Sequence, residues 1–166
     1  VAAQTGVNSF FINYVTEASS TITNQQAALM LSFGGMGFFL VGRLLGTWLM
    51  NYLSAPRLLL ICAVGAMICM IGVICGGTVG LISLIVTYLF ESIMFPTIFA
   101  IALQGLSTSA TKRGSSYLIM TVVGGAIAPM LMGYIGENNM AIGFIIPLVC
   151  YLVVATYAKK IKKTYE

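Results

Sequence analysis

The 166-residue sequence contains no histidine and no aspartate, and only 7% of its residues are charged. Without histidine there is no imidazole general base, no Ser-His nucleophile pair and no imidazole ligand for zinc. Without aspartate, Asp-based phosphoryl transfer has no support. Metal-binding cysteine pairs are missing too. Cys62, Cys69 and Cys75 lie along one apolar run and Cys150 in another, none with the close spacing of a metal knuckle. They read as small apolar residues, and no metal is expected. The glycines have no strand-then-helix context for phosphate or dinucleotide binding. Nothing points to an enzyme or to a bound cofactor.

What the sequence has is apolar length. Hydrophobic residues make up 59% of it and mean hydropathy is +1.00, whereas soluble domains carry ~25% charged residues. The apolar runs are Val1–Thr16, Ala27–Tyr52, Leu58–Cys75, Val79–Leu106, Ser116–Ile135 and Met140–Ala158. About 20 apolar residues in a helix cross the ~30 Å hydrocarbon core. The expectation is an all-α membrane protein with six transmembrane helices over residues 1–158. The first run is short and opens with no Met, cap or charged flank. It reads as the remainder of a helix that begins upstream, so the chain reads as a piece of a larger protein. A signal peptide would need a positive n-region that Val1–Thr16 lacks.

Lysine and arginine sort the connections by side. Glu17–Gln25, Gly76–Thr78 and Gly136–Asn139 carry none, while Arg57, Lys112, Arg113 and Lys159, Lys160, Lys162 and Lys163 fall on the alternate set. Positive residues stay cytoplasmic. Both termini of the segment are therefore expected in the cytoplasm, with residues 159–166 a basic tail beside anionic lipid. The net charge of +4 needs no nucleic-acid partner.

The third and sixth runs hold no charge and almost no hydrogen-bonding side chain, and are expected to face lipid. The first, second, fourth and fifth carry the amides, hydroxyls, charges and prolines, which avoid lipid. Polar, polar, apolar, twice over, predicts a three-plus-three arrangement. Val41–Ser54 laid on Val123–Gly136 matches at Val, Gly, Leu, Met and Tyr. Those stretches cross in opposite directions, as inverted transporter repeats do.

Three groups of residues are candidates for function. In the first helix Gln4, Asn8 and Phe11 share a stripe. Two amides one turn apart suit the hydroxyls of a sugar, and equally suit bonding to a neighbouring helix. In the fourth, Glu91 interrupts a long apolar run at a cost of several kcal/mol unless it faces protein or a water-filled cavity. Tyr88, Glu91 and Phe95 share a face, a ring-and-carboxylate pattern suited to a sugar, and a structural carboxylate is the alternative. Pro96 should bend or loosen that helix. The third group is the glycine-rich second and fifth helices, with Gly124, Gly125 and Pro129 in the latter and Arg43 in the former. Arg43 either snorkels toward the cytoplasm or pairs with an acid, Glu91 among the possibilities.

At these residues the sequence resembles a known family. Gln4–Tyr14 (QTGVNSFFINY), Gly42–Leu49 (GRLLGTWL) and above all Glu91–Met120 (ESIMFPTIFAIALQGLSTSATKRGSSYLIM) resemble the C-terminal half of the L-fucose:proton symporter family of the major facilitator superfamily. The resemblance covers essentially the whole chain. It implies helices seven to twelve of a twelve-helix transporter, whose halves enclose a central sugar cavity and rock to open it to either side. It also implies proton-coupled transport of a fucose-, glucose- or galactose-like monosaccharide across a bacterial inner membrane, with the missing N-terminal half as partner. The coupling ion is the proton, and the proton-linked carboxylates are implied to lie in that other half. A stand-alone six-helix scaffold or channel subunit is the competing function, and a self-dimerising half-transporter a third.

Overall fold

The computed structural model of the chain describes residues 1–165, so Glu166 of the expected tail lies outside the described residues. Every regular element among the described residues is helical. Helix α1 covers Ala2–Ala18, 17 residues or roughly 26 Å at 1.5 Å per residue, short of a full hydrocarbon core. Five further helices are long and apolar enough to cross a membrane. They are α2 (Asn24–Leu49), α3 (Ala55–Cys75), α4 (Gly77–Leu103) and α5 (Thr108–Ile135), and α6, a one-turn piece Met140–Gly143 continued by Ile145–Tyr165. The protein is a multi-pass membrane protein.

Local chemistry sets the ends of these helices. Thr23 caps α2 reciprocally with Gln26: the Gln26 N–H donates to Thr23 Oγ1 at 3.4 Å and the Thr23 N–H donates to Gln26 Oε1 at 3.0 Å. Pro56 stands in the first turn of α3, where its missing N–H costs nothing. The hairpin into α4 turns on Gly76 and Gly77, at φ 76° and 64°, which side-chain-bearing residues rarely adopt. Pro147 offers no N–H to the carbonyl of Gly143, and the helix is interrupted at Phe144.

Two boundaries differ from the sequence expectation. α5 begins at Thr108, so Lys112 and Arg113 occupy its first turns and not a loop. α6 runs on through Lys159, Lys160, Lys162 and Lys163, so the basic stretch begins inside a helix. The loosened backbone also lies elsewhere. α4 continues through Pro96, while α2 contains a π-helical stretch, Met30–Gly35. α5 contains a 3₁₀ turn, Thr121–Val123, just before Gly124 and Gly125.

Four helices form the core. α3 packs between α4 and α6, α6 also packs on α1, and α1 closes the group against α4. The remaining two are flanks, α2 docking on α4 and α5 on α1. The two least polar helices, expected to face lipid, each bury one face in this core and keep an exposed apolar stripe on the other. Ala63, Ala66, Met70 and Val73 of α3 and Phe144, Tyr151 and Ala158 of α6 are buried. Apolar surface is as well satisfied by a neighbouring helix as by lipid, so lack of polarity does not say which it meets. Among the large apolar residues of α3, the stripe Ile61, Val64, Ile68 and Ile71 stays exposed.

Glycine sets how closely the flanks approach. Gly42 and Gly46 form a small-xxx-small pair on α2. A Cβ at Gly42 would run into the carbonyl oxygen of Leu89 and come within 2.7 Å of Ser92 Oγ, and one at Gly46 would run into Ile93. On the other flank a Cβ at Gly125 would lie 2.8 Å from Thr5 Oγ1, and Ala128 and Met132 continue that buried stripe. Tyr14 ties the centre together: its hydroxyl donates to the Val73 carbonyl at 2.7 Å, and its ring meets Phe144 edge-on at 5.2 Å.

Candidate substrate site

Tyrosines apart, the polar residues buried in this core among the described residues all belong to α4: Thr87, Glu91, Ser92 and Thr97. Three are satisfied within the helix. The hydroxyls of Thr87, Ser92 and Thr97 donate to the carbonyls of Ser83, Leu89 and Ile93 at 2.9, 2.9 and 2.7 Å. Glu91 cannot be satisfied that way, since a carboxylate brings no donor to its own backbone carbonyls. It is 3% exposed and draws on another helix: the Tyr151 hydroxyl of α6 donates to Glu91 Oε1. The second oxygen, Glu91 Oε2, has no hydrogen-bond partner. Most buried polar groups in native proteins have one, so an exception calls for an explanation.

The space beside Glu91 is a cavity of about 120 Å³ where α1, α4 and α6 meet, with Gln4, Glu91, Phe95 and Tyr151 on its wall. Small-molecule sites run from ~300 Å³ upward. This chain alone therefore supplies only part of such a volume.

The expected residues divide into two layers. Gln4, Glu91 and Phe95 line the cavity, with Phe95 38% exposed and its ring 6.1 Å from that of Phe99. Behind them, Asn8 Oδ1 accepts the Tyr88 hydroxyl at 2.9 Å, and Phe11 meets the Tyr88 ring edge-on at 5.9 Å. Phe11 and Tyr88 are fully buried. Asn8 thus joins α1 to α4, the helix-bonding role set beside the ligand role for these amides. Arg43 is exposed on α2 and Glu91 is buried, so the pairing considered for them is not made. Gly125 is a packing contact against Thr5, Gly124 lies beside Ala2, and Pro129 stands inside α5.

Sequence reasoning missed Tyr151, because its helix was read as a lipid-facing one. The signal was present. Phe144, Tyr151, Ala155 and Ala158 recur at spacings of seven, four and three, one face of a helix, and all are buried.

Comparison with known proteins defines the class and then the family. The chain is 37% identical over 162 residues to the L-fucose-proton symporter of Escherichia coli, covering 96% of this chain and 36% of that protein. It is 41% identical over 130 residues to the L-fucose-proton symporter of Haemophilus influenzae. With the glucose/galactose transporter of Brucella abortus it shares 34% over 160 residues, 95% of this chain and 38% of that one. No protein-family model matches. In three dimensions it is similar to the major facilitator superfamily transporter FucP solved in the outward conformation, with TM-score 0.91, 37% identity and coverage of 95% of this chain and 38% of that one. The class of protein that the chain matches is therefore the membrane transporters of the major facilitator superfamily. Within it, the chain matches the C-terminal half of the L-fucose:proton symporters and glucose/galactose transporters. It spans little more than a third of the length of these relatives.

Proposed function

We propose that residues 1–158 are the C-terminal six-helix domain of a proton-coupled monosaccharide transporter that works by alternating access, with residues 159–166 a cytoplasmic basic extension. The observation that carries this reading is the 37% identity, over 96% of the chain, to the L-fucose-proton symporter of Escherichia coli. In the proposed mechanism a sugar and a proton bind near the bilayer midplane, and protonation shifts the balance between outward- and inward-facing states. Here the C-terminal domain would contribute Gln4, Glu91 and Phe95 directly, with Asn8, Phe11 and Tyr88 as the layer that holds them.

The packing supports a three-plus-three repeat. Exchanging α1, α2 and α3 for α4, α5 and α6 maps the α2–α4 contact onto α5–α1, and α3–α4 onto α6–α1. Inverted repeats place substrate at their interface near the midplane, and Glu91, midway along α4 and beside a cavity shared with α1, suits such a place. The exposed flank residues Leu40, Leu44 and Trp48 on α2 and Val123, Met130 and Tyr134 on α5 suit contact with the N-terminal half and lipid. The competing scaffold or channel reading is not favoured by relatives that are all carriers by name.

Uptake of labelled fucose, glucose and galactose by cells expressing the full-length protein tests the function. Accumulation of at least one, competed by the unlabelled sugar, is expected, and no uptake of any would overturn it. Orientation in a bacterial inner membrane follows from the basic end that carries Arg57, Lys112 and Arg113. Cysteines at Ser20 and Ser109 should label from the periplasmic and cytoplasmic faces respectively, and same-side labelling would refute the proposed topology.

A further inference from the structure

The bonding around Glu91 fits a carboxylic acid better than a carboxylate. An ionised carboxylate accepts at both oxygens, whereas a protonated one accepts at its carbonyl oxygen and carries a hydrogen on the other. Here Oε1 accepts the Tyr151 hydroxyl, while Oε2, sealed from solvent, meets no donor. The residue lies midway along a membrane-spanning helix, where an ionised side chain survives by pairing or by meeting water. Neither is in place. Arg43 of α2 is exposed. The titratable groups around Glu91 are Tyr151 and Cys150 of α6 and Tyr88, one turn earlier in α4; tyrosine and cysteine bring no positive charge. From α1, the amino group of Val1 stands on the wall of the adjoining cavity without pairing with Oε2. An orphaned neutral O–H is a far smaller penalty than a bare buried charge.

We propose that Glu91 is a proton-binding site of the transport cycle, held as the neutral acid while α4 and α6 enclose it as here, and emptied when water reaches it from the adjoining cavity. This rests on the transport reading above and deepens it, adding a proton site in the C-terminal half to those that the family resemblance implies in the other. On release the O–H bond at Oε2 breaks, its electron pair stays on the carboxylate, and a water molecule takes the proton as hydronium. The cavity of about 120 Å³ beside Glu91 exceeds the roughly 10–15 Å³ that one water needs, and Gln4 and Tyr151 supply polar partners on its wall. Tyr151 serves both forms, because Oε1 accepts its hydroxyl whether or not Oε2 carries the proton. The bond between α4 and α6 therefore persists through the exchange, and what changes is the partner of Oε2: its own hydrogen in one form, water in the other.

Glu91→Gln tests the assignment, because an amide has the shape of the neutral acid and no proton to release. In vesicles containing the full-length protein, protons and labelled sugar entering together are counted, so that the ratio is read whatever the rate. The wild-type ratio should fall in Glu91→Gln, and an unchanged ratio would overturn the proposal while leaving sugar transport intact. Infrared difference spectra give a second reading that does not depend on that variant reaching the membrane. Sugar and proton favour each other's binding in a symporter, so adding sugar to the wild type at constant pH should increase the absorption of a protonated carboxyl. Tyr151→Phe removes the hydrogen bond to Oε1 and should move that band to higher frequency. A wild type whose carboxyl absorption ignores sugar, or a band that Tyr151→Phe leaves in place, would overturn the assignment to Glu91. A wild type that takes up no monosaccharide would overturn the transport reading itself.

Discussion

A single carboxyl group organises the interior of this bundle because nothing in its own helix can satisfy it. The buried hydroxyls of α4 fold back onto backbone carbonyls, whereas Glu91 requires Tyr151 from α6. Asn8 and Tyr88 make a second such link, at 2.9 Å between α1 and α4. Interhelical hydrogen bonds within a membrane average ~0.6 kcal/mol and reach ~1.7. A double-mutant cycle of Asn8→Ala and Tyr88→Phe, read by thermal unfolding of the full-length protein in detergent, should give a coupling of about 0.5–1.5 kcal/mol. Additive single effects would mean that the bond is not made in the membrane protein.

At the scale of helices, close approach matters more than polarity. α2 reaches α4 only because Gly42 and Gly46 leave room for the backbone of Leu89 and the side chain of Ile93. Gly42→Ala places a methyl against a main-chain carbonyl that cannot rotate away, and overpacking of this kind costs ~1–3 kcal/mol. Gly37, on the same helix, has nothing within 4 Å of a built Cβ. Gly42→Ala should therefore lower the unfolding temperature and yield of the full-length protein, while Gly37→Ala leaves both unchanged. Equal effects would contradict the docking of α2 on α4. The helices themselves were legible in the sequence, since each apolar run became a helix and the glycine-rich second and fifth became the close-packed flanks. Their neighbours were not legible. Ile61 and Ala63 are both apolar, yet one is exposed and the other fully buried, and a hydropathy pattern treats lipid and helix alike. For the same reason Tyr151 stayed hidden in an apolar helix, and the π-helical stretch at Met30–Gly35 leaves no compositional mark.

For the whole molecule, the proposed role of this chain is to complete a transporter by supplying half a cavity. A volume of about 120 Å³ beside Glu91 is too small for an independent sugar site, and the relatives it matches are nearly three times its length. Gln4, Glu91 and Phe95 were legible as candidates because an acid and an amide within apolar helices are conspicuous. The division into a cavity wall and a supporting layer was not, because it depends on how α1 rotates against α4. The measurement that tests the account most directly is sugar-triggered proton movement. When the transported sugar is added to energy-depleted, weakly buffered cells expressing the full-length protein, the medium should turn alkaline as protons enter with the sugar. The change should vanish with a protonophore and be absent with a sugar that is not taken up. Sugar entry with no alkaline shift would contradict proton coupling, and the absence of both would contradict the transporter assignment.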